Sequence, residues 1–107
     1  MTRVVVDTTP VQVLPPNSKR KKWEIQFLPT SVIAGNTGSI MFLGIGHPPG
    51  NSTTRNTYDE AMVPGAAVVK NIADGNSRAE VEDAIWLQSD TAGQVVNIRE
   101  DVGELEV

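Results

Sequence analysis

An alternating segment in the first third of the chain constrains the fold more than any other feature. In Lys22–Leu28, the large apolar residues Trp23, Ile25 and Phe27 occupy every second position, and polar residues fill the positions between them. Because successive side chains of a β-strand point to opposite faces, this pattern predicts a strand with one buried face. A second segment, Ile40–Gly46, is short and apolar throughout, which is typical of a strand covered on both faces. We interpret the two as the central pair of strands in a small all-β domain.

The length and composition of the chain fit one β domain. The chain has 107 residues, and a domain of this size buries roughly two thirds of the surface that its unfolded chain exposes. It contains only two Trp, two Phe and one Tyr, so Val, Ile and Leu must supply most of the core. Nine glycines and seven prolines mark more turns than a helical bundle would tolerate. We therefore predict a single domain over residues 1–107, either an antiparallel β-sandwich or a jelly-roll-like barrel.

Shorter apolar segments separated by turn residues predict the remaining strands. Residues 3–14 fit an edge strand or a pair of strands, because Pro10 cannot donate to a β-ladder and marks an edge position, a bulge or a break. Further strands are predicted at 66–72, 84–89 and 94–99. The turn Asp90–Gly93 separates the last two, which predicts a hairpin with Trp86 and Val96 on neighbouring strands.

The segment before the strand at 84–89 has two interpretations. Ser77-Arg78-Ala79-Glu80 matches a capping box, in which a Ser and a Glu three residues later satisfy free N–H groups at a helix start. The apolar positions within Val81–Leu87 also fit one face of a strand. We favour a strand for Ala84–Ser89 and leave a helical turn at 77–82 open.

The charged residues are unevenly distributed along the chain. The formal net charge is −4, and it divides into +3 for residues 1–73 and −7 for residues 74–107. This division fits complementary contact between copies, although a folded monomer could also bring the two halves together. The acidic total argues against nucleic acid as a partner.

Four consecutive cations, Lys19, Arg20, Lys21 and Lys22, lead directly into the first central strand. They fit a solvated start of a strand, where lysines keep a β-edge soluble. They also fit electrostatic contact with an acidic partner surface, and nucleic acid is a third interpretation. We favour the solvated start of a strand, place contact with an acidic partner second and place nucleic acid last.

The sequence lacks the motifs of common active sites. The single histidine, His47, lies in a proline-rich loop, and spacing implies no metal-ligating or acid–base partner for it. There is no cysteine, no Gly-x-Ser-x-Gly elbow and no Gly-Lys-Ser/Thr phosphate loop. Carboxylate pairs such as Glu100 and Asp101 lie at predicted turns and in the tail, where solvated charge is the ordinary explanation. We expect no enzymatic activity, no cofactor and no metal.

Two observations bear on location. No apolar run approaches the roughly 20 residues that cross a bilayer. The N-terminus lacks a basic segment followed by a long apolar run, the pattern of a signal peptide. We expect a soluble protein that is made in the cytoplasm and does not contact a membrane.

Several segments in a fixed order carry a resemblance to a known class of proteins. These are Val13-Leu14-Pro15, Pro16–Phe27, Ile40–Pro49, Val63-Pro64-Gly65 and Ala84–Val96. In this order, a basic turn enters a strand, a Gly-hydrophobic-Gly strand end meets a proline-rich loop, and a Trp strand leads through Asp-Thr-Ala-Gly to a final strand. The chain thereby resembles small β-sandwich proteins and domains of tailed bacteriophage particles. Departures from the pattern lie at 29–39, 51–60 and 80–83.

The resemblance implies a virion structural protein without catalytic or ligand motifs. It implies most directly a capsid decoration (cement) protein on the head surface, often a homotrimer, made in the host cytoplasm and located in the virion. Its partners would be the major capsid protein or other virion proteins. We expect residues 1–9 and 100–107 to be arms that order only on assembly. The predicted interface consists of Val4, Val5, Val6, Lys19, Arg20, Lys21, Lys22, Arg55, Tyr58 and Leu105.

Two alternatives belong to other functional classes. One is a glycan- or host-surface-binding module of a phage tail or head fibre, which would use Arg55, Asn56 and Tyr58 in the loop at 47–60. The other is a cellular β-sandwich interaction domain. A glycan binder needs exposed aromatic side chains, and only Tyr58 lies outside the predicted strands. This difference favours the decoration role.

Overall fold

The chain folds into a small β-sandwich, which confirms the predicted fold class. The computed structural model describes residues 2–29, 31–32, 36, 40–50 and 56–102. The strands are β1 (Thr2–Val6), β2 (Val11–Leu14), β3 (Arg20–Phe27), β4 (Met41–Ile45), β5 (Glu60–Met62), β6 (Ala67–Asn71), β7 (Ile85–Ser89) and β8 (Gln94–Val102). A short 3-10 helix at Ile72–Asp74 and helix α1 (Arg78–Glu82) lie between β6 and β7.

The eight strands form two four-stranded antiparallel sheets. Sheet A has the order β1-β8-β3-β6, and sheet B has the order β2-β7-β4-β5. The predicted central strands, β3 and β4, are therefore inner strands of opposite sheets, and the prediction that they pair is wrong. The predicted hairpin of Trp86 and Val96 is also wrong, because β7 belongs to sheet B and β8 to sheet A.

The alternating segment supplies the centre of the core, as predicted. Trp23, Ile25 and Phe27 on β3 are fully buried, and the polar residues between them are not. Apolar residues of sheet B complete the cluster from the other side. They include Met41, Leu43, Ile85 and Leu87, all fully buried.

The N-terminal segment forms two edge strands, one in each sheet. β1 pairs with β8 over its whole length, from Thr2 opposite Ile98 to Val6 opposite Gln94. β2 pairs with β7, and Pro10 lies in the connection, so the predicted break at this proline is confirmed. Most of the predicted arm at residues 1–9 is thus the edge strand β1. Residues 100–102 of the predicted arm at 100–107 are the end of β8. Residues 103–107 lie outside the described part, and ordering on assembly stays a prediction.

The helical turn left open at 77–82 exists as α1. Ser77 forms both hydrogen bonds of the capping box with Glu80. The Trp23 indole Nε1 donates to the Glu80 carbonyl at 2.9 Å, and Val81 is fully buried. These contacts fix a helix of five residues that would be too short to persist alone. The strand prediction for Ala84–Ser89 is confirmed with its start at Ile85.

Candidate interaction surfaces

The three valines of β1 were predicted to lie in an interface, and they differ in exposure. Val5 is 59% exposed, whereas Val6 is fully buried in the core. Val4 is half-buried and packs against the core from the same face as Val6. Val6 is therefore unavailable to a partner, because the pleat of an edge strand turns alternate residues into the sandwich.

Arg20 corrects the interpretation of the basic run. Its side chain has no exposed surface, and its guanidinium is held by four acceptors. Nε donates to Glu100 Oε2 at 2.7 Å, Nη1 donates to the carbonyls of Val81 and Asp83 at 3.1 Å each, and Nη2 donates to the Pro15 carbonyl at 2.6 Å. Arg20 therefore joins β3, β8, α1 and the turn after β2. The prediction that it faces a partner is wrong.

A β-bulge explains why the sequence pattern misplaced Arg20. Simple alternation from Trp23 would turn Lys21 inward and Arg20 outward. The pairing of β3 with β8 shifts register between Arg20 and Lys22, so Arg20 points inward and Lys21 is exposed. Lys19 is also exposed, and Lys22 is half-buried opposite Asp101. Two of the four cations, Lys19 and Lys21, are thus fully available on the surface.

The uneven charge distribution is partly neutralised within the monomer. Besides the Arg20–Glu100 pair, Lys70 Nζ lies 2.9 Å from Glu60 and 3.4 Å from Glu80. The hydrogen bond with Glu60 raises the pKa of Lys70. Hydrogen bonds from the Ser77 backbone and hydroxyl, with a smaller contribution from Lys70, lower the pKa of Glu80. Arg20–Glu100 and Lys70–Glu80 join the basic part, residues 1–73, to the acidic part, residues 74–107. Of the two interpretations of the charge division, folding of one chain therefore accounts for these two pairs.

The outer face of sheet A is polar and carries opposite charges in a regular arrangement. Paired residues of antiparallel strands share a face, so Lys22, Glu24, Arg99 and Asp101 all lie opposite the core face. Lys22 is opposite Asp101, and Glu24 is opposite Arg99, so opposite charges neighbour one another both along and across the strands. This arrangement offers charged groups of both signs to a complementary protein surface.

The proline-rich loop after β4 packs on the outer face of sheet B. A Cβ atom on Gly44 would overlap the His47 carbonyl oxygen and lie 3.0 Å from Pro49 N. Only glycine therefore permits this close approach of loop and strand. Asp59 closes the loop, because its Oδ2 accepts from the Ile45 N–H at 2.7 Å and lies 3.1 Å from His47 Nε2.

Three aromatic residues belong to the outer side of sheet B, and sequence reasoning identified only one of them as a surface residue. Tyr58 is 47% exposed, and its ring centroid lies 5.0 Å from that of Phe42. Phe42 and Trp86 are half-buried and alternate with core residues of β4 and β7. Trp86 is opposite Gly44, the glycine beneath the loop. Arg55, the other predicted residue of this region, lies outside the described part of the chain, as does Leu105.

A groove of about 340 Å³ opens between the two sheets on the side where β1 and β2 are both edge strands. Its apolar lining is formed by Val4, Val13, Leu14 and Ile98. Arg99 and Glu100 belong to its polar lining. Strand predictions alone could not find this groove, because it depends on which strands lie at the edge of each sheet.

Among residues 2–29, 31–32, 36, 40–50 and 56–102, no three His, Cys, Asp or Glu side chains form a group that could hold a metal ion. The described part of the chain contains no helix with the length and hydropathy of a membrane span. No family model, curated protein or solved structure matches this chain.

Proposed function

We propose that this chain is a non-enzymatic structural protein of a tailed bacteriophage particle, a decoration protein that binds the outside of the head and stabilises it. The observation that carries the proposal is the outer face of sheet A with its regular arrangement of opposite charges. A second support is the sequence resemblance to β-sandwich proteins of phage particles. The partners would be the major capsid protein and further copies of this chain.

The size of this face limits how the contact is made. Four strands spaced about 4.8 Å apart, with five to nine residues of about 3.3 Å each, present roughly 400 Å². A standard protein–protein contact takes about 800 Å² from each partner. The face therefore supplies about half of such a contact, and flanking surface must supply the rest. Lys19 and Lys21 at the start of β3 are suited to that role. The exposed Val5 and Val69 on the two edge strands add apolar surface to the face itself.

Binding to heads tests the proposal. Purified protein is mixed with phage heads that lack it, and bound protein is measured by co-sedimentation together with the temperature at which the heads release their DNA. We expect saturable binding at the outer surface and a higher release temperature. Absence of binding at low and moderate salt would contradict the proposal.

A matched pair of variants tests the contribution of the exposed cations. Lys21→Glu and Arg78→Glu change the net charge equally, and both side chains are exposed. Lys21→Glu is expected to weaken head binding several-fold, because it places a like charge against an acidic partner. Arg78→Glu is expected to leave head binding unchanged, because Arg78 lies on α1 and pairs with Glu82. Equal effects of the two variants would assign the binding to net charge and not to the start of β3.

A second candidate function is supported by the outer side of sheet B. Phe42, Tyr58 and Trp86 give this side more aromatic surface than the sequence suggested, and sugar rings stack on aromatic side chains. The function would be glycan recognition on a host surface. A glycan array discriminates the two functions: specific binding that is lost in Tyr58→Ala and kept in Val69→Ala would favour glycan recognition over decoration.

A further inference from the structure

We infer that the outer face of sheet A pairs with the same face of a second copy of this chain, across a two-fold axis that runs along the strands between β3 and β8. This inference deepens the proposed function, on which it rests, because it assigns this face to the contact between copies. The contact with the capsid protein then falls to the flanking surface that includes Lys19 and Lys21.

The charged side chains of this face form rows across the two inner strands. Each row consists of one residue of β3 and the residue opposite it on β8. The rows are Lys22 with Asp101, Glu24 with Arg99, and the uncharged pair Gln26 with Asn97. All of these side chains point away from the core, because the residues that alternate with them on β3 are the buried ones. Each charged row thus holds one cation and one anion, in reversed order from one row to the next.

A two-fold axis along the strands makes this pattern complementary to itself. It turns one face onto the other and exchanges β3 with β8, so each residue faces the other member of its own row in the second copy. In the first row, Lys22 faces Asp101 of the second copy. In the second row, Glu24 faces Arg99 of the second copy, and the two amides meet in the third row. Each contact occurs twice, because the interface is the same patch on both copies.

The overlap of the two faces distinguishes this axis from one across the strands. An axis across the strands, between the two charged rows, also opposes unlike charges, but it moves the third row beyond the end of β8. The axis along the strands lies at the centre of the order β1-β8-β3-β6, so all four strands of one face cover the four of the other. Arg3 on β1 then faces the uncharged Ala67 on β6. The whole face is used without placing like charges together.

The four charged side chains are available for this contact. In the part of the chain that the structure describes, the ion pairs within 4.0 Å involve other residues. Glu24 accepts one hydrogen bond, from Gln26 Nε2 at 3.3 Å. Arg99 and Asp101 are exposed, and Lys22 and Glu24 are half-buried. A second copy can therefore contact all four without breaking an ion pair of the single chain.

The area of the face makes the contact weak. Two sheets packed face to face at an angle of about 30° bury roughly 400 Å² from each copy, about 800 Å² in total. Stable interfaces bury at least about 1,200 Å², so the association depends on concentration. Val5 and Val69, the exposed large apolar residues of this face, add an apolar contribution when they are covered. Copies held close together on a head would pair readily, because attachment raises their effective concentration.

Two charge-reversing variants test the two-fold pairing. Glu24→Lys and Arg99→Glu each place like charges opposite one another in the second row, at two positions by symmetry. A mixture of the two variants removes both conflicts. In the mixed dimer, the lysine introduced in one chain faces the glutamate introduced in the other, and the unchanged Arg99 faces the unchanged Glu24.

Sedimentation equilibrium measures the pairing between about 10 µM and about 1 mM protein, the range in which a contact of this size is populated. We expect the wild-type mass to rise toward twice the 11.5 kDa of one chain. Each variant alone is expected to dimerise about ten-fold more weakly, because two contacts change at once. The mixture is expected to recover to within about three-fold of the wild type.

A second mixture provides the matched control. Glu24→Lys is mixed with Arg78→Glu, which has the same net charge as Arg99→Glu and reverses an exposed cation on α1. We expect no recovery in this mixture, because one like-charge contact remains in the mixed dimer. Thermal unfolding by circular dichroism confirms that each variant is folded. Lys22→Glu and Asp101→Lys repeat the experiment in the first row if a second-row variant does not fold.

Three results would overturn the inference. They are a wild-type monomer at about 1 mM, a mass three times that of one chain, and a failure of the complementary mixture to recover. The last result would also be expected from an axis across the strands, because like charges would remain in that mixture. Head binding is measured separately by co-sedimentation. A monomer that binds heads would refute the two-fold pairing alone, and a dimer that binds no heads would refute the decoration role alone.

Discussion

Replacing Arg20 by methionine tests whether a buried cation holds this sandwich together. Arg20→Met keeps an unbranched side chain of similar length and removes the guanidinium. The carbonyls of Pro15, Val81 and Asp83 then lose their donors where the arginine side chain was fully buried. An unpaired buried acceptor costs about 1–3 kcal/mol, and part of this cost is recovered where water reaches a carbonyl. Summed over the three carbonyls and reduced for the part that water recovers, this predicts a loss of about 3–5 kcal/mol of unfolding free energy.

Glu100 provides the control for this prediction. Its side chain is 34% exposed, so water can solvate its carboxylate when Arg20 is removed. Glu100→Gln keeps an acceptor for Arg20 Nε and removes only the charge, and we expect it to cost about 1 kcal/mol or less. Arg20→Lys is expected to lie between the two variants, because an ammonium group keeps the charge and cannot reproduce the planar fork of donors.

Urea unfolding followed by tryptophan fluorescence measures these effects, since Trp23 and Trp86 lie in opposite sheets. A change in stability moves the transition midpoint and leaves the slope m unchanged. The reasoning is refuted if Arg20→Met lies within about 1 kcal/mol of the wild type. It is also refuted if Glu100→Gln is as destabilising as Arg20→Met, because the ion pair alone would then carry the effect.

Three further predictions concern the loop, the capping box and a buried amide. Gly44→Ala is expected to lower stability by about 1–3 kcal/mol in thermal unfolding, because its Cβ would collide with the His47 carbonyl. The same collision is expected to reduce the near-ultraviolet circular dichroism of the aromatic side chains. A wild-type melting curve would contradict this prediction. Because folding lowers the pKa of Glu80, its ionised form stabilises the fold above the ordinary value of 4.5, and this contribution is lost as pH falls through the folded-state value. Glu80→Gln should therefore reduce the dependence of stability on pH in that acidic range, and an unchanged dependence would exclude the assigned role. Asn36→Ala is expected to lower the free energy of unfolding in urea by about 2–3 kcal/mol. The Asn36 amide is fully buried and forms hydrogen bonds with the backbone of Leu28 and Val95. A loss below about 1 kcal/mol would contradict this prediction.

The sequence predicted those parts of the fold that depend on periodicity and local hydrogen bonding. Alternation in Lys22–Leu28 identified the buried face of β3, because the period of side chains in a strand is fixed by the backbone. The Ser77–Glu80 capping box identified a helical turn, because its hydrogen bonds lie within four residues. Pro10 identified the break between two edge strands, because proline cannot donate to a β-ladder.

The pairing of strands could not be predicted in this way. Periodicity says which face of a strand is buried and says nothing about which strand lies beside it, so β3 and β4 were wrongly expected to pair. The single-residue shift between Arg20 and Lys22 reverses which cation points inward, and no local sequence signal marks it. The aromatic side of sheet B was missed for a related reason, since Phe42 and Trp86 lie within predicted strands and only Tyr58 lies outside them.

Quantifying the chain in purified phage particles tests the decoration role most directly. The measurement is the number of copies of this chain per major capsid protein, determined by mass spectrometry before and after mild treatment that strips the outer surface without opening the head. We expect a fixed small-integer ratio in intact particles and loss of the chain on stripping while the head stays closed. Absence of the chain from mature particles, or retention of every copy after stripping, would contradict the role proposed for this sandwich.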